Sequence, residues 1–272
     1  MKLSNHGNLI CGIVAILFIF AFCQKISYGA QYQFVENFDT ADNFFNVNGF
    51  VQNGYNLSSW QYEFGSSKMH VSDIVPATTN YGYVYLTKTL SYPVDGNFNL
   101  SYVFRTDANN TVAAVQHMYV SLFTDSGSGV LSRICGAGFW DGHTNDKGHY
   151  FIQPTPAADP YIYNYFGNNL PSIIDVTVSI QRTDGNINIS VSGAGYQLTY
   201  NETDNQTVNA ISIQFGAAKG YVYGDLYADY LSFSGESGSY PDQSIPEPLT
   251  LVSFATGFFG MLVKRIRSKI SL

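Results

Sequence analysis

The sequence predicts an all-β protein, an antiparallel β-sandwich held between two short apolar ends. Three observations predict it. Runs of alternating apolar and polar residues recur along residues 31–236. Glycine, asparagine, aspartate and serine clusters separate them at strand-like spacing. No segment combines a 3.6-residue apolar period with helix caps.

Residues 1–30 read as a secretory signal peptide, expected as a helix. Lys2 opens it, Leu9 to Cys23 is apolar, and Ser27, Gly29 and Ala30 offer small residues for cleavage. Cys11 and Cys23 follow Ile10 and Phe22, so the small residue before a lipidated cysteine is missing.

Residues 31–236 are the expected sandwich ectodomain. Its clearest part is Ile173 to Gly193, two alternating runs joined by Asp184-Gly185, a strong hairpin signal. In the first run Val176, Val178 and Ile180 oppose Thr177, Ser179 and Gln181. In the second Ile187, Ile189 and Val191 oppose Asn188, Ser190 and Ser192. One face of this hairpin should be buried and the other wet. Similar runs occupy Gly96–Thr106, Val115–Asp125, Val130–Trp140, Val208–Gly216 and Tyr227–Gly235. Residues 237–244 form a short linker.

Residues 245–272 close the chain. Apolar residues 249–263 are short for a bilayer-spanning helix of roughly 20 residues, and a basic tip, 264–272, follows them. Together they predict a transmembrane helix of marginal length with its cationic end on the cytoplasmic side. Of the 13 Lys and Arg of the chain, 7 lie in residues 31–244, against 19 of its 20 acidic residues. An acidic body disfavours nucleic acid as a partner. Cys135 is the one cysteine left after signal removal, which excludes an internal disulfide.

Two resemblances add to this. Phe34–Thr40 (FVENFDT) and Tyr227–Phe233 (YADYLSF) resemble the opening and closing strands of concanavalin-like jelly rolls, such as family 16 glycoside hydrolases and their non-catalytic relatives. The resemblance implies that these strands are neighbours and that Glu36 and Asp229 help hold a structural calcium ion. Asn37 stands where a second acid is usual. At the far end, Pro246-Glu247-Pro248, the apolar run and Lys264, Arg265 and Arg267 resemble a PEP-CTERM sorting signal. That implies processing by a membrane exosortase, transient anchoring in the inner membrane, and residence in the envelope, at the outer surface or in an extracellular polysaccharide matrix.

Catalytic signals are weak. Retaining glycosidases set two carboxylates about 5–5.5 Å apart. None of Glu36, Glu63, Glu202 and Glu236 is read as having a carboxylate two residues away, so family 16 catalysis is expected to be absent. Arg105, Gln116, His117 and Tyr119 match the residue types of alginate-lyase-like jelly rolls. Gln116 and His117 are adjacent, however, and on a strand point to opposite faces.

Sugar-binding candidates are clearer. Trp140, Asp141 and His143 open the densest polar cluster, where a ring could stack on a pyranose. Tyr161, Tyr163 and Tyr165 share one strand face, while Tyr81, Tyr83 and Tyr85 are expected in the core. The expected function is thus that of an exported, non-catalytic protein binding or organising polysaccharide. A jelly-roll lyase or glycoside hydrolase, and a structural or adhesive matrix subunit, are the alternatives.

Overall fold

A computed structural model describes residues 30–55, 60–73, 82–107, 116–127, 129–141, 148–154, 161–165, 173–217 and 226–237. All of these lie within residues Met1–Gly238. Residues 1–29 of the signal segment, 238–244 of the linker and the whole tail, with Pro246, Glu247, Pro248, Lys264, Arg265 and Arg267, lie outside the described residues, whereas Ala30 and Ser237, expected in signal and linker, are paired ends of β1 and β15. Within them, no helix is long and apolar enough to cross a membrane.

Fifteen strands are described. The first five are β1 (Ala30–Glu36), β2 (Phe50–Tyr55), β3 (Trp60–Gly65), β4 (Lys68–Asp73) and β5 (Gly82–Val94). Next come β6 (Phe98–Asp107), β7 (Gln116–Asp125), β8 (Leu131–Asp141), β9 (His149–Gln153) and β10 (Ile162–Tyr165). The last are β11 (Ile173–Thr183), β12 (Asn186–Gly193), β13 (Tyr196–Thr203), β14 (Val208–Ala217) and β15 (Leu226–Ser237). A five-residue π-turn, Asn43–Val47, lies between β1 and β2.

The strands form two antiparallel sheets. The first runs β13-β12-β11-β6-β15-β4-β3, with β1 also on β15, and the second β10-β9-β8-β7-β14-β5-β2. The expected neighbours are paired: β1 lies against β15 with Phe34 opposite Phe233. Beyond a bulge at Asp229, β15 exchanges β1 for β4, where Ala228 faces Met69.

Alternation decides what is buried. Leu100, Tyr102, Val176, Val178, Ile180, Ile187 and Leu231 of the first sheet, and Val84, Leu86, Val120, Phe139, Ile211 and Phe215 of the second, belong to one core and are fully buried or nearly so. Each of the aliphatic and phenylalanine side chains among them contributes about 1.5–3 kcal/mol by leaving water. The Asp184-Gly185 turn has φ of 50° and 78°, the mirror-image geometry whose twist suits a two-residue hairpin. Arg182, on the strand before it, is 2% exposed and donates to three backbone carbonyls, Gly96 (2.8 Å), Gln206 (2.5 Å) and Val94 (3.2 Å). This ties the hairpin to two loops. Cys135, on β8, is a free buried thiol, and burial raises its pKa.

Candidate functional site

The outer face of the second sheet carries the densest group of aromatic and polar side chains. Strand register arranges them in rows. One row crosses all seven strands: Asn53, Tyr85, Gln214, Tyr119, Gly138, Phe151, Tyr163. A second includes Tyr83, Gly216, His117, Trp140 and His149. A third holds Thr87, Ser212, Ser121 and Gly136.

Their rings form a pavement. Tyr161 stacks on Tyr163 at 5.7 Å and 24°, and Phe151 meets Tyr119 at 5.3 Å and Tyr161 at 6.0 Å. Trp140 lies 5.6 Å from His149 and 6.0 Å from His117. Tyr83 meets Tyr85 edge-on at 5.3 Å. Edge-to-face and offset contacts of this kind hold aromatic rings in fixed orientations.

Three side chains in the middle form a directed hydrogen-bond chain. The Tyr119 hydroxyl donates to Oε1 of Gln214, and the Gln214 amide nitrogen lies 3.0 Å from His117 Nε2. With Oε1 accepting from the tyrosine, the amide can only donate to the imidazole, which is therefore neutral. Burial draws the His117 pKa down to about 4, in the same sense. The ring fits because it lies over Gly216: a Cβ there would sit 2.0 Å from its atoms.

Beside this chain is a pocket of about 250 Å³, lined by Asn53, Tyr85, Thr87, Tyr119, Ser121, Phe123, Leu131, Arg133, Ser212 and Gln214. Thr87 donates to Ser212 at 3.0 Å. Ser121 is 2% exposed, and its hydroxyl is buried without a hydrogen-bond partner among the described residues. Buried hydroxyls are ordinarily paired. The Nε of Arg133 is in the same condition. Burial raises the Tyr85 and Tyr119 pKa values, and the Arg133 charge partly opposes this.

Arg133 is the residue that sequence reasoning missed. Strict alternation puts it on the inner face with Cys135 and Ala137. The pairing of β7 with β8 shifts between Leu122 and Phe123, opposite Cys135 and Arg133 respectively, so Ile134 is an extra residue. Ile134 and Cys135 are both buried, and Arg133 turns outward. A bulge of this type leaves no signature in the sequence.

The predicted candidates fare unevenly. Tyr161, Tyr163 and Trp140 join the pavement. The side chains of Asp141 and Tyr165 lie outside the described ones, as does all of His143. Tyr83 and Tyr85, expected in the core, face outward, because Val84 and Leu86 take the buried positions. His117 and Tyr119 do share a face. The glutamine beside them is Gln214 from β14, and Arg105 lies on the other sheet, paired through Nε and Nη2 with both oxygens of Asp175 at 2.6 and 3.1 Å. Contrary to the expectation, Glu202 does have a carboxylate two residues away, Asp204, which caps its own loop by accepting from the Gln206 backbone at 2.5 Å and side chain at 2.9 Å.

Glu36 and Asp229 lie on the paired strands β1 and β15, Glu36 opposite Leu231. Glu36 is fully buried, and its two oxygens accept from the Phe38 N–H (2.6 Å) and the Asn48 amide (2.5 Å). Lys88 reaches the same loop by donating to the Asn48 carbonyl. Asp229 sits at the β15 bulge, 3.7 Å from Lys68. No group of three or more His, Cys, Asp or Glu that could hold a metal occurs among the described residues. Both Glu36 oxygens are thus engaged within the protein, whereas Asp229 Oδ1 is buried without a hydrogen-bond partner among the described residues.

No protein-family profile matches the chain, and no curated protein matches it in sequence. Solved structures share its fold at low identity. A carbohydrate esterase from Shiga toxin-encoding bacteriophage phi24B superposes with a TM-score of 0.50 at 10% identity, covering 76% of this chain and 100% of that one. The CBM2 module of the evolved Dit of Lactobacillus casei BL23 phage J-1 gives 0.49 at 12% identity, over 80% and 94%. Basic winged bean lectin, solved with Tn-antigen, gives 0.44 at 12%, over 75% and 98%. At this identity the likeness is one of fold alone: an all-β, antiparallel, two-sheet sandwich.

Proposed function

We propose that the outer face of the second sheet binds polysaccharide without cutting it. The observation that carries this is the aromatic pavement running into a polar pocket whose Ser121 hydroxyl and Arg133 Nε have no partner within the described protein. Flat rings suit the apolar faces of pyranoses, and unmet donors suit their hydroxyls. The likeness to a phage carbohydrate esterase extends to the fold alone.

The non-catalytic reading rests on the state of His117 and Tyr119. Nε2 of the one and the hydroxyl hydrogen of the other are both engaged by Gln214, and a histidine with a pKa near 4 is a weak base at neutral pH. A second reading, a lyase, is favoured by the presence of His117, Tyr119 and Gln214 on one face. A matrix subunit that assembles without sugar is the third.

We place this activity outside the inner membrane. The signal segment exports the chain, an exosortase acts on the tail at Pro246-Glu247-Pro248, and the body works in the envelope or matrix. A screen of the purified full chain against polysaccharides, following both retention and shorter products, tests the binding reading. Retention without products, weakened roughly twofold to tenfold by Tyr163→Ala or Tyr85→Ala, is expected. Products with unsaturated ends would establish the lyase. Self-assembly with no glycan retained would establish the structural subunit.

A further inference from the structure

We propose that the pocket is specific for an acidic sugar, a uronic acid residue whose carboxylate seats on Arg133. This rests on the polysaccharide reading and narrows it to a ligand class. Three arginines lie among the described residues, and two are fully employed. Arg105 grips Asp175 through two hydrogen bonds, and Arg182 donates to three carbonyls while its guanidinium lies 4.7 Å from the centre of the Phe98 ring. Arg133 forms no ion pair with a described carboxylate, and its Nε is buried without an acceptor.

A guanidinium drawn partly out of water with its Nε–H unmet is costly unless an acceptor arrives from elsewhere. Its planar fork matches a carboxylate with two parallel hydrogen bonds, a fit that a neutral hydroxyl cannot reproduce. The surroundings point the same way. None of the ten lining residues is acidic and Arg133 is the only cation among them, while the chain as a whole carries a net charge of −7. A net negative charge disfavours an anionic glycan overall, and against it the pocket's lone cation is a local exception. His117, held neutral by Gln214, adds no second positive charge. A volume of about 250 Å³ falls below the usual range for drug-sized ligands and suits one ring, leaving the rest of a glycan chain to the pavement.

The test uses the full chain and one oligouronate in two forms, native and with every carboxyl reduced to the alcohol. The two differ only at C6 of each sugar, where a planar anionic carboxylate is replaced by a neutral hydroxymethyl group. Equilibrium binding to the wild-type protein should favour the native form by tenfold or more, a preference that added salt diminishes. Arg133→Gln should abolish the preference and leave the reduced form bound within about twofold, and Arg133→Lys should keep part of it. Equal binding of the two forms by wild-type protein overturns the proposal and leaves the polysaccharide reading standing. A sulfated neutral oligosaccharide bound as tightly as the uronate overturns carboxylate specificity in favour of a general anion seat. Failure to bind either form, or any glycan in the wider screen, removes the polysaccharide reading itself. The wild-type comparison needs no variant, so a misfolded Arg133→Gln protein does not spare the proposal.

Discussion

The Gln214 amide donates to Nε2 of His117 across 3.0 Å, and Tyr119 holds that amide from the other side. The imidazole is therefore a structural acceptor, fixed in one tautomer with its remaining proton on Nδ1.

This contact has a pH signature. An unfolded histidine titrates near 6.5, and folded His117 near 4. Between those values the unfolded chain binds the proton and the native chain does not, so stability falls as pH drops through that window. The loss reaches at most about 3 kcal/mol. Thermal melts at pH 7 and pH 4 should show a smaller drop for His117→Gln than for wild type. Parallel drops would contradict a depressed His117.

Gly216 is the counterpart of the ring. A Cβ at this position lies 2.0 Å from His117 Cε1 and Nε2, and Gly216→Ala should cost roughly 1–3 kcal/mol by forcing the ring off Gln214. Adding His117→Ala should recover much of that loss. A double-mutant cycle with a coupling indistinguishable from zero would mean that the strain lies in the backbone and not in the ring.

Arg182 makes a different demand. Its three carbonyl acceptors belong to two loops, Val94–Gly96 and the segment at Gln206. Arg182→Met should destabilise the fold by about 3 kcal/mol, since buried carbonyls lose their donors together. Arg182→Lys should recover a minor part, because one ammonium cannot span all three. Chemical denaturation reads both, and a lysine variant as stable as wild type would contradict the bridging role.

Calcium removal should leave the melting temperature unchanged. The Glu36 oxygens are already engaged by Phe38 and Asn48, and Asp229 keeps company with Lys68. Glu36→Ala should instead lower stability by about 2 kcal/mol, with or without a chelator. A fall in melting temperature on chelation would restore the metal.

The parts of the fold that were legible in the sequence are those where alternation is strict. The β11–β12 hairpin could be read to the residue, with its turn at Asp184-Gly185 and Val176, Val178 and Ile180 buried as expected. The pairing of β1 with β15 followed from two short strand motifs. What stayed hidden are the irregularities. Ser66 and Ser67 join β3 to β4 with φ of 53° and 58°, where asparagine or glycine is the usual signal. The Ile134 bulge reverses the face of Arg133. Tyr83 and Tyr85 misled because Val84 and Leu86, which alternate with them, are apolar too, so periodicity could not say which set faced water. Gln214 and His117 lie 97 residues apart in the chain, and only the pairing of β7 with β14 brings them together.

Cys135 lies inside the same second sheet, on β8, fully buried and with its thiol held protonated by burial. A thiol that is both shielded and un-ionised is nearly inert to alkylating reagents. Labelling can proceed only while β8 is parted from its neighbours, so the alkylation rate counts those openings. The chain thus has a native reporter for the sheet that carries its candidate site, one that needs no introduced probe. A ligand bound on that face must slow its modification in proportion to the stability it confers.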